Sequence, residues 1–451
     1  MPICSVYPLP YRADPADYFA ALCHAPGAVL LDAGRPQAQR GRYDLASAWP
    51  LAQLSAAPDE SANDFLQRLR DALATLGPAS APDALELPFV GGLIGYLSYD
   101  FGRRLESLPS TAVADLELAD ARFGLYAWAL VSDHQAGTTQ LVCHPSLADG
   151  ERQRVLRLLE QTPTPDEAPF ALSTRFSADL SEAQYRQAIE RIQAYIQAGD
   201  CYQVNFAQRF RAPCVGEPWT AYRALRAACP TPFAGFQRLA SGGALLSLSP
   251  ERFLRLHQGA VETRPIKGTR PRGQTAQQDR AEAEALLASS KDRAENLMIV
   301  DLLRNDLGRT CRIGSVRVPE LFALETYPNV HHLVSSVTGE LAAGKDALDL
   351  LAGSFPGGSI TGAPKIRAMQ IIDELEPTRR AFYCGSLLYL DVRGEMDSSI
   401  AIRSLLIEHG QVSCWGGGGI VADSHWQAEY QESITKVKVL LQTLERLSGF
   451  A

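Results

Sequence analysis

Residues 181–210 read SEAQYRQAIERIQAYIQAGDCYQVNFAQRF, a helical pattern that passes directly into a strand pattern. Ser181 and Gln184 have the spacing of a capping box, and apolar residues then recur at helical spacing. Gly199 supplies a C-terminal stop, after which apolar and polar residues alternate over 202–210. The stretch therefore predicts an amphipathic helix followed by a strand.

The rest of the chain extends this pattern in both directions. In the N-terminal part, a strand is expected at 29–34 and a hairpin at 123–133 and 138–145. Further strands are predicted at 242–256, 260–269, 383–392, 399–408 and 411–415, and helices at 275–307, 346–353, 364–374 and 426–447. Runs of adjacent strands with helices grouped apart indicate a layered α+β protein and not a regular βαβ repeat.

Length and charge narrow the classes of protein that are possible. The chain has 451 residues, enough for about two or three domains at roughly 100–200 residues each. Three prolines interrupt Gln161–Pro169, so this stretch is predicted to be a linker between an N-terminal region, 1–165, and a catalytic region, 175–451. The 43 Lys and Arg residues are outnumbered by 51 Asp and Glu, and the net charge of −8 argues against a nucleic-acid binder.

Cysteine spacing and hydropathy indicate the compartment. The nine cysteines form no CxxC pair, which favours reduced thiols and no zinc site. The first residues lack a basic segment followed by an apolar one, and no apolar run approaches the roughly 18 residues of a membrane span. We therefore expect a cytoplasmic protein with no membrane partner.

A lysine and a glutamate are candidates for catalysis. Lys267 lies in the segment RPIKGTR beside Arg264, Arg270 and Arg272, and nearby like charges lower the pKa of a lysine, as a nucleophilic amine requires. Without that setting, a solvated surface lysine would be the simpler interpretation. Glu251 follows Pro250 at a strand bend and is a candidate general acid if it faces the same pocket.

Two pairs of carboxylates have the spacing of a cation site. Asp292 and Glu295 are three residues apart on one predicted helix, and Glu429 and Glu432 are three apart on another. Opposed faces of this kind suit Mg²⁺, which takes one or two carboxylates and leaves positions for substrate oxygens. Neighbouring lysines and arginines leave open the alternative of ordinary salt-bridged surfaces.

Two glycine-rich segments and their basic neighbours are candidates for anion binding. The loop GGSITGAPK at 357–365 leads into a helix and offers amides and hydroxyls at its N-terminus. The four glycines at 416–419 suggest close approach of the backbone to a ligand, with a β-bulge as the alternative. Arg403 and Lys436 could bind carboxylates, and either His331 or His332 could donate a hydrogen bond to a substrate oxygen.

Taken in order, these motifs resemble those of the chorismate-utilising enzymes over roughly residues 175–450, and the N-terminal part fits the longer members. The resemblance implies a fold of two large, mostly antiparallel β-sheets packed as a sandwich and flanked by helices, with Mg²⁺ as cofactor and chorismate as substrate. It is carried by the segments GDCYQVN, SPERFL, PIKGT, KDRAENLMIVDLLRNDLGR, HHLVS, GGSITGAPK, AIRSL, GGGGIVADS and EYQE.

The resemblance also implies a role for each matching residue. Magnesium ligands are implied at Glu295 and Glu432, with Asp292 and Glu429 as supporting carboxylates. The positions around the substrate carboxylates are Tyr383, Arg403, Gly417 and Lys436, and the substrate-contacting loop contains Thr361 and Gly362. Glu251 matches the general acid, and His332 matches a histidine near the ring carboxylate.

Two positions distinguish the branches of this family. Isochorismate and salicylate synthases carry a lysine that activates water where this chain has Gln203, and a neutral amide cannot take that proton. Anthranilate synthases read PIAGT where this chain reads PIKGT, so Lys267 indicates the branch that aminates chorismate at C4 on the way to 4-aminobenzoate and folate. An anthranilate synthase, a pyridoxal-phosphate enzyme and a non-catalytic scaffold subunit remain alternatives.

The resemblance also implies a partner. Ammonia in this family comes from a separate glutamine amidotransferase subunit, and no cysteine here has the Gly-x-Cys-x-Gly setting that a fused amidotransferase domain would need. In the N-terminal segment LLDAG, Ala33 replaces a serine that lines a tryptophan pocket in relatives, so binding of tryptophan stays open.

Overall fold

The computed structural model describes residues 1–38, 41–160, 168–327 and 330–450. Most of the predicted linker at Gln161–Pro169 lies outside these residues. The strands of the N-terminal part are β1 (Ser5–Leu9), β2 (Val29–Asp32), β3 (Tyr43–Ser47), β4 (Ala52–Ser55), β5 (Gly92–Leu97), β6 (Ala121–Tyr126), β7 (Trp128–Asp133) and β8 (Thr138–Cys143).

The remaining strands are β9 (Phe170–Leu172), β10 (Ser177–Ala178), β11 (Gln203–Gly216), β12 (Phe233–Arg238), β13 (Ala244–Ser249), β14 (Arg252–His257), β15 (Ala260–Thr263), β16 (Ile266–Pro271), β17 (Arg317–Thr326), β18 (Val330–Glu340), β19 (Gly362–Ala363), β20 (Ser386–Asp391), β21 (Met396–Ile400), β22 (Ser404–Glu408) and β23 (Gln411–Ile420). The helices are α1 (Ala16–Phe19), α2 (Ala62–Leu76), α3 (Gly102–Leu105), α4 (Asp149–Glu160), α5 (Glu182–Gln197), α6 (Pro218–Ala228), α7 (Ala276–Ala288), α8 (Ser290–Gly308), α9 (Ala347–Ser354), α10 (Lys365–Leu375) and α11 (Trp426–Leu447).

Two antiparallel sheets form the framework, as the predicted fold class requires. The larger sheet has the order β1-β8-β7-β3-β2-β12-β13-β22-β23-β11-β10, with β9 and β19 also paired to β11. The smaller has the order β16-β18-β15-β14-β21-β20-β5-β6-β4, with β17 beside β18. The sheets meet face to face where Leu387 of β20 lies over Gly235 of β12, whose Cβ, if it had one, would be 2.3 Å from Leu387 Cδ2.

Strands from both ends of the chain share each sheet. In the larger one, β2 pairs with β12, and in the smaller one, β5 pairs with β20. The division into regions 1–165 and 175–451 remains a prediction about the chain, while the two sheets join strands from both regions. None of the helices in the part of the chain that the structure describes is long and apolar enough to cross a membrane.

Several elements agree with the sequence and others do not. The capping box of α5 forms as predicted, and β7 and β8 pair as a hairpin. The strand predicted at 123–133 is divided between β6 and β7, which belong to different sheets. The strand predicted at 260–269 and the helix predicted at 275–307 are also each divided in two.

The single strand predicted at 242–256 is wrong in a way that matters for the site. The chain leaves the larger sheet at Ser249 and enters the smaller one at Arg252. Pro250 has no N–H to donate to a ladder, and the N–H of Glu251 bonds instead to Ser249 Oγ at 3.1 Å. Glu251 therefore lies where the chain crosses from one sheet to the other.

Candidate active site

Three segments that are distant in sequence meet at Glu251. The turn at Gly358–Ile360 places Ser359 Oγ 2.7 Å from Glu251 Oε1, and Lys267 of β16 donates from Nζ to the Ser359 carbonyl oxygen at 2.8 Å. The lysine and the glutamate predicted from sequence are thus both within hydrogen-bonding distance of one serine. Glu251 is buried and Lys267 is half-buried.

Burial changes the protonation of this carboxyl in the direction that an acid catalyst needs. Desolvation raises the pKa of Glu251 above its ordinary value, and it outweighs the opposing effects of Lys267, the Ser359 hydroxyl and Lys436. A glutamate with a raised pKa keeps its proton closer to neutral pH, so it can donate that proton to a leaving oxygen.

The pKa of Lys267 is lowered, as the sequence predicted, but mainly for another reason. Burial is the largest cause, and the neighbouring cation that contributes is Lys436, while nearby Glu251 acts in the opposite direction. The three arginines are held by carboxylates: Arg264 by Glu320 and Glu325, Arg270 by Asp292, and Arg272 by Asp279. A lower pKa leaves more of the amine neutral and nucleophilic.

The four predicted metal-ligand carboxylates lie on α8 and α11, and each is paired with a cation. Lys291 Nζ is 3.9 Å from Glu295 Oε1 and 4.0 Å from Glu429 Oε1, so it joins the two helices. Glu432 bonds to Lys436 at 2.7 Å, and Asp292 bonds to Arg270 at 3.2 Å. The carboxylates of α8 and α11 are therefore near one another, and they also form salt bridges.

The glycine run of β23 faces these carboxylates. A Cβ on Gly418 would lie 3.3 Å from Glu432 Oε1, 3.4 Å from Glu429 Oε2 and 3.5 Å from Lys436 Nζ, so this residue leaves the space beside them open. Gly416 serves helix packing, because its Cβ would lie 2.0 Å from the Ser433 carbonyl oxygen of α11. Gly417 pairs with Ala207, and its carbonyl oxygen accepts from Lys436 at 3.0 Å.

The donor set is consistent with a hard divalent cation. Carboxylate oxygens are the ligands that Mg²⁺ prefers, and Mg²⁺ needs only one or two of them when substrate oxygens and water complete its shell. The room at Gly418 lies beside two such carboxylates. Among the described residues, no three His, Cys, Asp or Glu side chains are grouped closely enough to hold a metal ion by themselves.

Arg403 has the setting of an anion-binding residue. It is half-buried just before β22, at a φ of 50°, and its recorded hydrogen bond goes to Cys229 Sγ at 4.0 Å. Within the described part of the chain it forms no ion pair, whereas the buried Arg380 is bound to Glu376. A half-buried guanidinium without a carboxylate can bind an anionic ligand.

The two adjacent histidines have different environments. His331 Nε2 bonds to Asp279 at 2.9 Å and its ring packs within the protein, so it is structural. His332 is buried with Nδ1 2.8 Å from Thr269 Oγ1, and burial, with the nearby charge of Arg403, lowers its pKa to about 4. A neutral His332 can donate one hydrogen bond without carrying charge.

The remaining predicted residues are all buried. Thr361 is fully buried and donates to the carbonyl of Gly357 at 3.1 Å, so its hydroxyl closes the turn from within. Gly362 has a φ of 146° and pairs with Val204, a conformation that excludes a side chain. Gln203 is buried at the start of β11 with an Oε1 that lacks a partner, and Tyr383 stacks on Trp415.

Sequence reasoning named Ser359 only as part of an anion-binding loop and Lys291 only as a cation that could form a surface salt bridge. The two partners of Ser359 lie 108 and 92 residues away and depend on the crossing of the sheets. Lys291 lies four positions before Glu295, a spacing typical of a helical ion pair. Its contact with Glu429 depends on the tertiary structure.

A cavity of about 760 Å³ lies where the N-terminal strands meet the smaller sheet, and its lining includes Asp32, Tyr43, Phe233 and Tyr389. Ala33 is the residue after Asp32, and its N–H donates to Asp44 Oδ1 at 2.7 Å.

The fold and this constellation are those of an enzyme acting on a small, multiply charged anion. The family model described as chorismate binding enzyme matches residues 28–442, so the chain belongs to that family. It is 49% identical to aminodeoxychorismate synthase component 1 of Klebsiella aerogenes, over 97% of this chain and 98% of that one. It is 47% identical to the protein of that name from Salmonella typhimurium, over 98% of both chains.

Among solved structures, the chain is similar to anthranilate synthase component I from Streptococcus pneumoniae. The two share 30% sequence identity and a TM-score of 0.78, over 89% of this chain and 92% of that one. This similarity confirms the expected fold of two antiparallel sheets with flanking helices.

Proposed function

We propose that this chain is the synthase component of an aminodeoxychorismate synthase, which exchanges the C4 hydroxyl of chorismate for an amino group. The observation that carries the proposal is the pairing of a nucleophile with an acid: Lys267 and Glu251 both bond to Ser359, at 2.8 and 2.7 Å. The first has a lowered pKa and the second a raised one, as a nucleophilic amine and a general acid require.

The reaction takes place in two displacements that balance. The Lys267 lone pair forms a bond to C2, the two conjugated ring double bonds each shift by one position, and the C4–O bond breaks. The electron pair of that bond leaves with the oxygen, which takes the Glu251 proton and departs as water. Ammonia then forms a bond to C4 while the C2–N bond to Lys267 breaks and returns its pair to the amine. The surplus proton on the new amino group returns to Glu251. The net change consumes ammonia, releases water and replaces the C4 hydroxyl with an amino group.

The substrate carboxylates are assigned to the basic side of the site. Arg403 and Lys436 would pair with them, and neutral His332 would donate to a ring carboxylate oxygen. Glu295 and Glu432 would hold Mg²⁺, with Asp292 and Glu429 as supporting carboxylates. Bound there, Mg²⁺ would supply positive charge to the ring carboxylate. Thr361 and Gly362 would shape the wall against which the substrate lies, together with Gly417, Tyr383 and Gln203.

The ammonia source and the compartment belong to the same proposal. The relatives are named as component 1, which implies at least one further component, and we propose that this is a glutamine amidotransferase. The proposed compartment is the cytoplasm, where nine buried and unpaired cysteines would remain reduced.

One alternative has an observation in its favour. The solved relative is named anthranilate synthase component I, and that reaction would give amination at C2 with loss of pyruvate. Lys267 argues against it, because covalent addition to C2 blocks the position that ammonia would need.

The test is to incubate the purified protein with chorismate, Mg²⁺ and an ammonium salt at alkaline pH, where free ammonia is available. We expect 4-amino-4-deoxychorismate with no release of pyruvate. Anthranilate with pyruvate would contradict the assignment and favour the alternative. A parallel reaction with glutamine and an added amidotransferase component tests the source of ammonia separately.

A further inference from the structure

Ser359 contacts both proposed reactive groups, through different atoms. Its hydroxyl donates to Glu251 Oε1 at 2.7 Å, and its backbone carbonyl accepts from Lys267 Nζ at 2.8 Å. The side chain is 6% exposed, so both bonds are formed in a site that excludes most water. Hydrogen bonds in such surroundings fix the orientation of their partners more strongly than they would in solution.

The turn that presents Ser359 is held at neighbouring carbonyl groups. Thr361 Oγ1 donates to the carbonyl of Gly357, Arg380 Nη1 donates to that of Ile360 at 3.0 Å, and the N–H of Asn205 donates to that of Thr361 at 2.8 Å. Arg380 is itself fixed by the buried Glu376, with Nε 2.8 Å from Oε2. The Ser359 carbonyl is thus held in place while it accepts from the lysine.

The direction of each bond has a chemical consequence. A hydroxyl that donates to Oε1 occupies that oxygen as an acceptor, so the proton of a neutral Glu251 resides on Oε2. A carbonyl that accepts one N–H of a neutral Lys267 turns the amine lone pair away from the turn. One residue therefore sets where the acid holds its proton and where the nucleophile directs its lone pair.

We propose that Ser359 is a positioning residue that aligns Glu251 and Lys267 for the first displacement. The inference rests on the proposed function, because it gives these two side chains their roles. Ser359 does not exchange a proton with substrate. It acts through the two hydrogen bonds.

The other titratable groups around the pair are Lys436 and the neutral thiol of Cys384 near Glu251, and Lys436, Glu295 and Glu432 near Lys267. None of them is changed by a substitution at Ser359. The hydroxyl bond to the ionised carboxylate lowers the pKa of Glu251, so its removal raises that pKa. The reaction needs protonated Glu251, so the fall in activity that follows its deprotonation in the pH–rate profile should then occur at higher pH.

The experiment compares Ser359→Ala and Ser359→Thr with the unchanged protein in the chorismate and ammonia assay across pH. We expect Ser359→Ala to lower kcat by about tenfold to a hundredfold with little change in KM. The reason is the loss of the hydrogen bond to the carboxylate that forms when Glu251 gives up its proton. We also expect its Glu251-controlled limb to move to higher pH. Ser359→Thr keeps the hydroxyl and should restore most of kcat and the original pH profile.

The matched control is Ser47→Ala in β3, which removes another buried hydroxyl, one that donates to the Trp128 carbonyl at 2.7 Å. It should leave both kcat and the pH profile unchanged. An unshifted pH profile in Ser359→Ala, or a Ser359→Thr variant as impaired as Ser359→Ala, would overturn the positioning role while leaving the C4 amination in place. If the unchanged protein forms no C4-aminated product, the proposed function fails first and this inference with it.

Discussion

Replacing Glu251 with Gln removes the proton that this side chain can donate and keeps its shape. The amide is nearly the same size and keeps an oxygen that can accept the Ser359 hydroxyl, now 2.7 Å from Oε1. It cannot give a proton to the departing oxygen. General acid catalysis contributes about 10²–10⁴ in rate, so we expect turnover to fall by that factor, or about 3–5 kcal/mol in activation free energy.

The same change affects the nucleophile in the opposite direction. When Glu251 is ionised, its negative charge raises the pKa of Lys267, so the neutral amide should lower that pKa and increase the neutral fraction of the amine. Acylation of Lys267 by an amine-selective reagent, followed by mass spectrometry at fixed pH, should therefore become faster in Glu251→Gln. If turnover falls while Lys267 becomes more reactive, the fall is due to the loss of the acid and not to a weaker nucleophile.

The assay measures 4-amino-4-deoxychorismate at saturating chorismate and ammonia, with Glu408→Gln as the matched control. Glu408 is also a buried glutamate with a raised pKa, but it accepts from the backbone of Glu117 at 3.3 Å at the end of β22. It should leave turnover unchanged. Turnover in Glu251→Gln within a factor of about three of the unchanged protein, less than about 1 kcal/mol, would refute the reasoning.

Lys267→Ala should lower C4 amination sharply and let anthranilate appear with pyruvate, and unchanged product formation would end the covalent proposal. Glu295→Gln should abolish Mg²⁺-dependent activity, and titration calorimetry showing unaltered Mg²⁺ affinity would remove this residue as a ligand. Arg403→Gln should raise KM for chorismate by about tenfold to a hundredfold because charge-assisted bonds are lost, and steady-state kinetics with an unchanged KM would contradict that. His332 has a folded-state pKa of about 4, below the usual 6.5, so the unfolded chain takes up its proton first as pH falls. Its contribution to stability should be complete above about pH 6.5 and decline by up to about 3 kcal/mol toward pH 4, and denaturant unfolding should show a weaker decline in His332→Gln.

The regular elements could be predicted because local patterns determine them. The capping box, the alternation in β11 and the hairpin of β7 and β8 are each contained in a short segment. The predicted strand at 242–256 failed because alternation continues through Ser249, Pro250 and Glu251 while the backbone changes sheet. The two halves pair with β22 and β21, which lie 140 residues or more along the chain.

The pKa of Lys267 shows the same limit for the site. The sequence predicted the direction from three neighbouring arginines, yet each of these is paired with a carboxylate in the structure. Proximity in sequence overestimated their effect, because none of the three arginines is among the main groups that shift the pKa of Lys267 in the structure. Burial and Lys436, which is 169 positions away, lower the pKa instead. Neutralising Arg270 should therefore change the reactivity of Lys267 less than neutralising Lys436 does, and acylation rates in Arg270→Gln and Lys436→Gln compare the two causes directly.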